Sequence, residues 1–408
     1  MSSSVTLENS PRHRGGWTNI DPRPTTVEIF VDATGGDDAN DGLSEGNAVE
    51  TIGAGYALLR DGYPDHLCLK RGEEWTASLG QSSGDLWNKS GAGPDDPMIV
   101  KPYGTGARPK IIKQSQGIRI EGNASVTVED FQIHGIEFEP SSETGRGTCI
   151  WIISTVTRFL MEDCHIHGYV SNVTIQAGSY SDETGPHTDV ALRRNVITDA
   201  HPDSGHSQGC FIADSRNVLL EGNILDSNGL DGAAGGGGGG GTLFNHNFYI
   251  ANSNKRVVSR ENVSVRSSSY GLMQRPGGRI ERNLFIECPH AILFGSHESS
   301  QLTRWPDGID CFGRDNVILD GTYRSGVGSG GLGIQTEEVR RALIENNLVA
   351  RYDTGLSGSP GAIYHDAING GGTNDTIVRA NITYEWESGM KLTVGTKCDG
   401  VRWIDNHL

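Results

Sequence analysis

A short apolar strand that ends in Asn or Asp, followed at once by a second apolar pair, recurs through most of this chain. It reads VTVEDFQI at Asp130, FLMEDCHI at Asp163, ALRRNVI at Asn195, VLLEGNIL at Asn223 and VSRENVSV at Asn262. It continues as RIERNLFI at Asn283, GRDNVIL at Asn316, ALIENNLV at Asn347, IVRANITY at Asn381 and RWIDNHL at Asn406. Successive markers are 21 to 39 residues apart. Self-similarity at such a period means one stacked architecture, not several globular domains.

Within each repeat the apolar residues alternate in and out, as in short half-buried strands, with a polar residue at the tight bend between the last two. Asn suits that bend because it tolerates left-handed backbone angles, and stacked copies form a hydrogen-bonded ladder inside the turn. Ankyrin and tetratricopeptide repeats fail on this strand-like periodicity, and propeller blades need a regular period near 40 or more. A parallel β-helix accommodates variable coil length, because extra residues bulge out as loops. The expected fold is all-β, a right-handed parallel β-helix over residues 95–408, with Asn195, Asn223, Asn262, Asn283, Asn347 and Asn381 at equivalent bends. Composition agrees, since 57 of 408 residues are Gly and only 35% are hydrophobic, unlike a helical bundle.

Residues 1–94 read differently. VEIFVDATGGDDANDGLSEGNAVETIGAGYALLRDG is a strand, a turn rich in Asp, Asn and Gly, and a short amphipathic helix with Ile52, Tyr56 and Leu59 on one face. The open apolar end of a solenoid must be covered, so this helix is expected to cap the N-terminus. Asp37, Asp38, Asn40 and Asp41 offer oxygen ligands for calcium, but their spacing departs from the D-x-[DN]-x-[DN]-G loop, and polar turns take this composition without metal.

The formal charge of −17 argues against nucleic acid as partner. No stretch approaches the roughly 18 to 20 apolar residues of a membrane span. The seven cysteines are scattered with no CxxC pair, which fits buried free thiols. Seven consecutive glycines, Gly235 to Gly241, read as an excursion from the coil, either a low-complexity loop or a lid. Against the acidic background, residues 255–282 hold seven basic side chains and two acidic ones. Such a stripe suits an anionic sugar polymer, whose carboxylates match Arg forks.

Lys255 lies 7 residues before Asn262 and Arg275 lies 8 before Asn283, which gives both nearly the same azimuth on successive coils. Uronate β-elimination needs a base for the C5 proton, a cation to neutralise the carboxylate and an acid for the leaving O4. Lys255 is a candidate base and Arg275 a candidate stabiliser of the enolate or proton donor. His246 and Tyr249 in HNFYI form a second candidate catalytic set, with His206 one coil earlier and Asn247, Gln274 and Arg279 as candidate substrate contacts. His290 and His297 are weaker candidates, and the histidines lack a metal spacing such as H-x-x-x-H. A hydrolase would need two carboxylates about 5 to 9.5 Å apart. Asp203, Asp214, Asp231 and Glu337 with Asp366 are the available ones.

The opening FVDATGGDDANDGLSEGNAVETIGAGYALLRDGYPDHLCLKRGEEW followed by Asn-punctuated coils resembles right-handed parallel β-helix proteins of the pectate lyase-like superfamily, over nearly the whole chain. That superfamily includes polysaccharide lyases, glycoside hydrolases, uronate epimerases and phage tailspikes, so fold alone does not choose a function. The stretch Lys255 … Asn262 … GLMQRPGG resembles the Lys and Arg segments of alginate lyase and chondroitinase B type enzymes. This resemblance implies a polysaccharide lyase with Lys255 as base and Arg275 as acid. Those families place acidic calcium ligands shortly before the Lys, whereas FNHNFYIANSN here has no carboxylate, so calcium is the one cofactor raised and its ligands are missing from that stretch. The implied partner is an anionic polysaccharide, with no nucleic acid and no membrane, and the implied state is a monomer. The implied location is secreted or periplasmic, although MSSSVTLENSPRHRGG contains no apolar h-region. The alternatives are a glycoside hydrolase, a uronate C5-epimerase, or a virion-associated tailspike or adhesin that binds sugar without cleaving it.

Overall fold

The computed structural model describes residues 16–408 apart from 83, 123–125, 178–185, 203–205, 231–240, 297–302, 325–326, 328, 353–360, 366–374, 387–389, 393–400 and 408. Among the described residues the strands form three parallel sheets of thirteen, eleven and ten strands and one short antiparallel pair. Successive strands of one coil enter different sheets. Thr127–His134 lies in the first, Glu137–Glu139 in the second and Thr148–Ile152 in the third. This path is a right-handed parallel β-helix, as the repeat predicts. No helix among the described residues is long and apolar enough to cross a membrane.

Contacts divide the chain into two compact units, Met1–Val196 with Asp214–Leu219, and Ile197–Ala213 with Leu220–Leu408. In the first unit, parallel in-register pairing stacks like on like: Phe159 stands opposite Phe131 on one side and Val190 on the other, all buried. Trp87 stacks on Phe131 with ring centroids 4.3 Å apart. Helix Ile52–Leu58 starts where the Thr51 side chain accepts from the Ala54 N–H, satisfying one of the orphan donors of the first turn. It buries Ile52 and Tyr56, and Tyr56 meets the Trp87 ring edge-on at 5.1 Å. The sheets begin well before residue 95, because Glu28–Val31 and His66–Lys70 already belong to the first sheet and Glu74–Trp75 to the second. The Asp-rich turn is built on its own backbone. Asp38 accepts from the N–H groups of Glu50 and Thr51, Asp41 from Leu43 and Asp37 from Ala39.

The second unit carries an asparagine ladder. Asn223, Asn262, Asn283, Asn316, Asn347, Asn381 and Asn406 stack in order, each handing its Nδ2 to the Oδ1 of the next at 2.9–3.0 Å. Each Oδ1 also accepts the backbone N–H of the Asn before it, as Asn283 does for Asn262 at 2.9 Å. Asn195, in the first unit, plays the same part by accepting from the Cys164 N–H and donating to the Met161 carbonyl. The left-handed residue is not the Asn, as expected from its tolerance, but the one before it: Gly222, Glu261, Arg282, Asp315, Asn346, Ala380 and Asp405 all have φ between 49° and 67°. The Asn is kept for its amide, which repairs the backbone groups that the bend leaves unpaired. Asp130 and Asp163 are themselves left-handed, and their carboxylates are held by Arg158 and Arg108.

Six cysteines are free and buried, and Cys398 lies outside the described residues. The basic stripe at 255–282 is largely neutralised. Arg260 pairs with Glu221, Arg266 with Asp226, Arg279 with Glu281 and Arg282 with Glu261. Three of these carboxylates, Glu221, Asp226 and Glu261, come from a neighbouring coil, and stacking brings them opposite in a way that counting along the sequence misses.

Candidate active site

The third sheet of the second unit lines a cleft of about 460 Å³, formed by His206, Leu243, Phe244, His246, Tyr249, Tyr270, Met273, Arg275, Leu293, Ser296 and Glu337. Its floor is three neighbouring strands, His246–Ile250, Tyr270–Gln274 and His290–Phe294. Register places Tyr249, Met273 and Leu293 in one row and turns them outward, while Phe248, Leu272 and Ile292 fill the core. Arg275 is the first residue beyond its strand, where its N–H still bonds the Ile250 carbonyl at 3.0 Å. Its guanidinium lies 4.9 Å over the Tyr249 ring, a cation–π geometry.

His246 is 2% exposed, and its ring meets Tyr249 and Tyr270 with centroids 5.3 and 5.5 Å away. Its Nδ1 faces the Tyr270 N–H at 3.4 Å. Because a backbone N–H can only donate, Nδ1 is the acceptor, and the proton of the neutral ring is assigned to Nε2. Burial, reinforced by the charge of Arg275, pushes His246 down to about 3, so the imidazole is neutral at physiological pH. Next along the sheet, burial lowers His290 to about 4, and its ring packs 4.6 Å from Tyr270.

On the far side the Tyr270 hydroxyl donates to Gln335 Oε1 at 3.2 Å, and Gln335 Nε2 donates to Glu337 Oε1 at 2.5 Å. Burial, then the Glu337 carboxylate, pushes the Tyr270 hydroxyl well above the ordinary phenol range. Glu337 is 5% exposed, a carboxylate sunk into the cleft wall. Gly295 makes room for it: φ is +85°, and a Cβ there would fall 1.8 Å from the Glu337 carbonyl oxygen.

The structure brings together five of the sequence-derived candidates, Arg275, His246, Tyr249, His206 and the carboxylate Glu337. His206 sits on the rim, edge-on to Phe244 at 5.4 Å. Lys255 does not line the cleft. It opens a strand of the first sheet and its Nζ lies 5.7 Å from the centre of the Trp305 ring. Asn247 is fully buried, and its amide bonds Ser264 Oγ and the Leu225 and Val265 carbonyls. Gln274 is equally buried between Ser259 Oγ and the Gly277 carbonyl. Both amides are consumed by the coil, leaving no face toward a ligand. Arg279 lies on the first sheet in a smaller hollow with Glu281, Phe312 and Arg314. Among the carboxylates, Asp214 accepts from the Ala177 N–H in the first unit, while Asp203, Asp231 and Asp366 lie outside the described residues, as do His297 and all but the last of the seven glycines. Tyr270 and Phe244 escaped the sequence reading. Tyr270 sits at the head of the same YGLMQ strand whose end leads into Arg275, which is the signal that was available.

No family model and no curated protein matches this chain. Solved structures do. A lacto-N-biosidase from Eubacterium ramulus aligns at 14% identity with a TM-score of 0.49, over 93% of this chain and 68% of its own. The A-module of a mannuronan C-5 epimerase from Azotobacter vinelandii aligns at 14% and 0.44, over 84% and 86%. A pectate lyase aligns at 13% and 0.44, over 92% and 78%.

Proposed function

We propose that the protein is a carbohydrate-active enzyme that cleaves an anionic, uronate-containing polysaccharide by β-elimination in the cleft of the third sheet. One observation carries this reading: the Arg275 guanidinium stands over the Tyr249 ring beside a buried, neutral His246. Arg275 pairs with the uronate carboxylate and neutralises the charge that builds on it as the C5 proton leaves. Tyr249 acts in this scheme as the phenolate, its charge offset by the guanidinium over its ring, and takes the C5 proton to become the phenol. The electron pair of the broken C–H bond forms the C4–C5 double bond, the C4–O4 bond breaks, and the same phenol returns the proton to O4. His246 serves as a fixed Nε2–H donor toward the carboxylate, a role that suits a ring with so low a pKa better than base catalysis does. His206 and Phe244 supply the rim on which a neighbouring pyranose stacks. Lys255, beside Trp305, is not needed in this scheme.

The buried carboxylate of Glu337 supports a second reading, a glycoside hydrolase, which would require a partner carboxylate about 5 to 9.5 Å away. Glu337 is the one carboxylate among the described residues of the cleft. Incubation with a panel of uronate polymers decides between the two. An unsaturated product, seen by its ultraviolet absorbance, supports the lyase. New reducing ends without that absorbance support the hydrolase and overturn the lyase.

A further inference from the structure

On the second sheet of the first unit, Glu137–Glu139 and His165–His167 are neighbouring parallel strands, with His165 opposite Glu137. Alternation along each strand sends Glu137 and Glu139, and likewise His165 and His167, to the outer face, while Phe138 and Ile166 are fully buried between them. One ligand atom from each of Glu137, His165 and His167 falls within 4.8 Å of the other two. The two imidazole rings stack with centroids 4.4 Å apart. We propose that Glu137, His165 and His167 form a binding site for a divalent transition-metal cation of the zinc class, clamping two successive coils.

Three observations meet here. The first is donor chemistry: two imidazoles and a carboxylate suit zinc, nickel or cobalt, whereas calcium and magnesium take oxygen ligands. The second is His167 Nε2, which is shielded from solvent and has no hydrogen-bond partner, yet faces the Glu137 carboxylate at 3.5 Å and that of Glu139 at 3.8 Å. A ring nitrogen aimed at two carboxylates without a hydrogen bond is satisfied by a cation placed between them. The third is charge. Glu74, Glu137 and Glu139 surround the single ammonium of Lys110 at 3.8, 3.4 and 3.3 Å. Three carboxylates against one ammonium leave two negative charges uncompensated, the charge of one dication. Coordination at about 2.0 to 2.2 Å from each donor requires the three side chains to draw in slightly by rotation, which their half-exposed positions permit. Glu139 is the neighbour able to close a fourth position.

Lys110 makes the test directional, because it is the competing cation. Zn²⁺ titrated calorimetrically into the full-length, metal-stripped protein should bind at one equivalent with micromolar affinity. His167→Ala and His165→Ala should each weaken that binding about tenfold or more, by loss of a donor. Lys110→Met should tighten it, because the bound dication no longer faces an ammonium. Calcium at the same concentration should produce no saturable heat. The proposal is overturned if Zn²⁺ binds without saturation, or if affinity is unchanged in His167→Ala or in Lys110→Met. Unchanged thermal midpoints of the metal-free variants establish that loss of binding is not loss of fold, and the half-exposed positions of these side chains make such midpoints the expected result.

Discussion

The backbone N–H of Tyr270 points at Nδ1 of His246, one coil away on the same sheet, and so fixes which nitrogen of that ring carries the proton. With the ring pushed down to about 3 by burial and by the charge of Arg275, His246 is neutral at physiological pH. His246→Gln, which keeps a neutral N–H donor, should lower kcat while leaving the acid limb of the pH–rate profile in place. A limb that moves in the variant would give His246 a proton-transfer role instead.

In the proposed β-elimination, replacing Arg275 by Ala removes the cation assigned to the uronate carboxylate, a contact that strengthens in the transition state. The expected loss is about 3 kcal/mol, a hundredfold or more in kcat/KM, with the urea midpoint nearly unchanged because the side chain supports no core. Arg275→Lys should recover little, since an ammonium lacks the fork that grips a carboxylate. Steady-state rates on a cleaved polymer check both.

Phe244 is 62% exposed on the cleft rim, where the proposed scheme stacks a pyranose on its ring. Phe244→Ala should raise KM severalfold, about 1 kcal/mol of lost stacking, with kcat and stability retained. An unchanged KM on every cleaved polymer would remove Phe244 from the sugar-binding surface.

Buried histidines make stability pH-dependent, with a definite sign. His290 is ordinarily near 6.5 and is held at about 4 in the fold, so between these values the unfolded chain binds a proton that the folded chain refuses. Stability from this ring is complete above about 6.5, falls as pH drops toward 4, and is flat below. The change is on the order of 3 kcal/mol. His290→Gln should reduce the acid sensitivity of urea unfolding by about that amount.

Asn283 sits mid-ladder, accepting from Asn262 and donating to the Ser259 carbonyl and Asn316 Oδ1. Asn283→Ala strands buried groups on both neighbouring coils and should cost about 3 kcal/mol or more. Asn283→Asp should be no better, because it keeps the acceptor, loses both donors and buries a charge. Urea unfolding of the two variants measures this.

The bends were legible because each demands a side chain that both donates and accepts, and that demand repeats once per coil. The site was less legible. Counting back from Asn262 and Asn283 put Lys255 and Arg275 at one azimuth, but the path between the third and first sheets takes four residues, 251–254, in one coil and three, 275–277, in the next. Val258 faces Arg279 in the register, so Arg275 still belongs to the cleft while Lys255 has already entered the first sheet. The Glu-x-Glu and His-x-His pairs escaped for a related reason. A spacing such as H-x-x-x-H follows a helical period, whereas these residues alternate on strands and meet only because coils stack.

The asparagine ladder counts coils, not residues. Its rungs are separated by 39, 21, 33, 31, 34 and 25 positions, yet each makes the same pair of bonds to the next. An inserted or deleted segment between two rungs is therefore absorbed where it occurs and does not propagate as a slip in register. The consequence is evolutionary: cleft walls can be lengthened, shortened or exchanged while the frame keeps its alignment, so substrate preference on such a chain can drift far faster than its architecture.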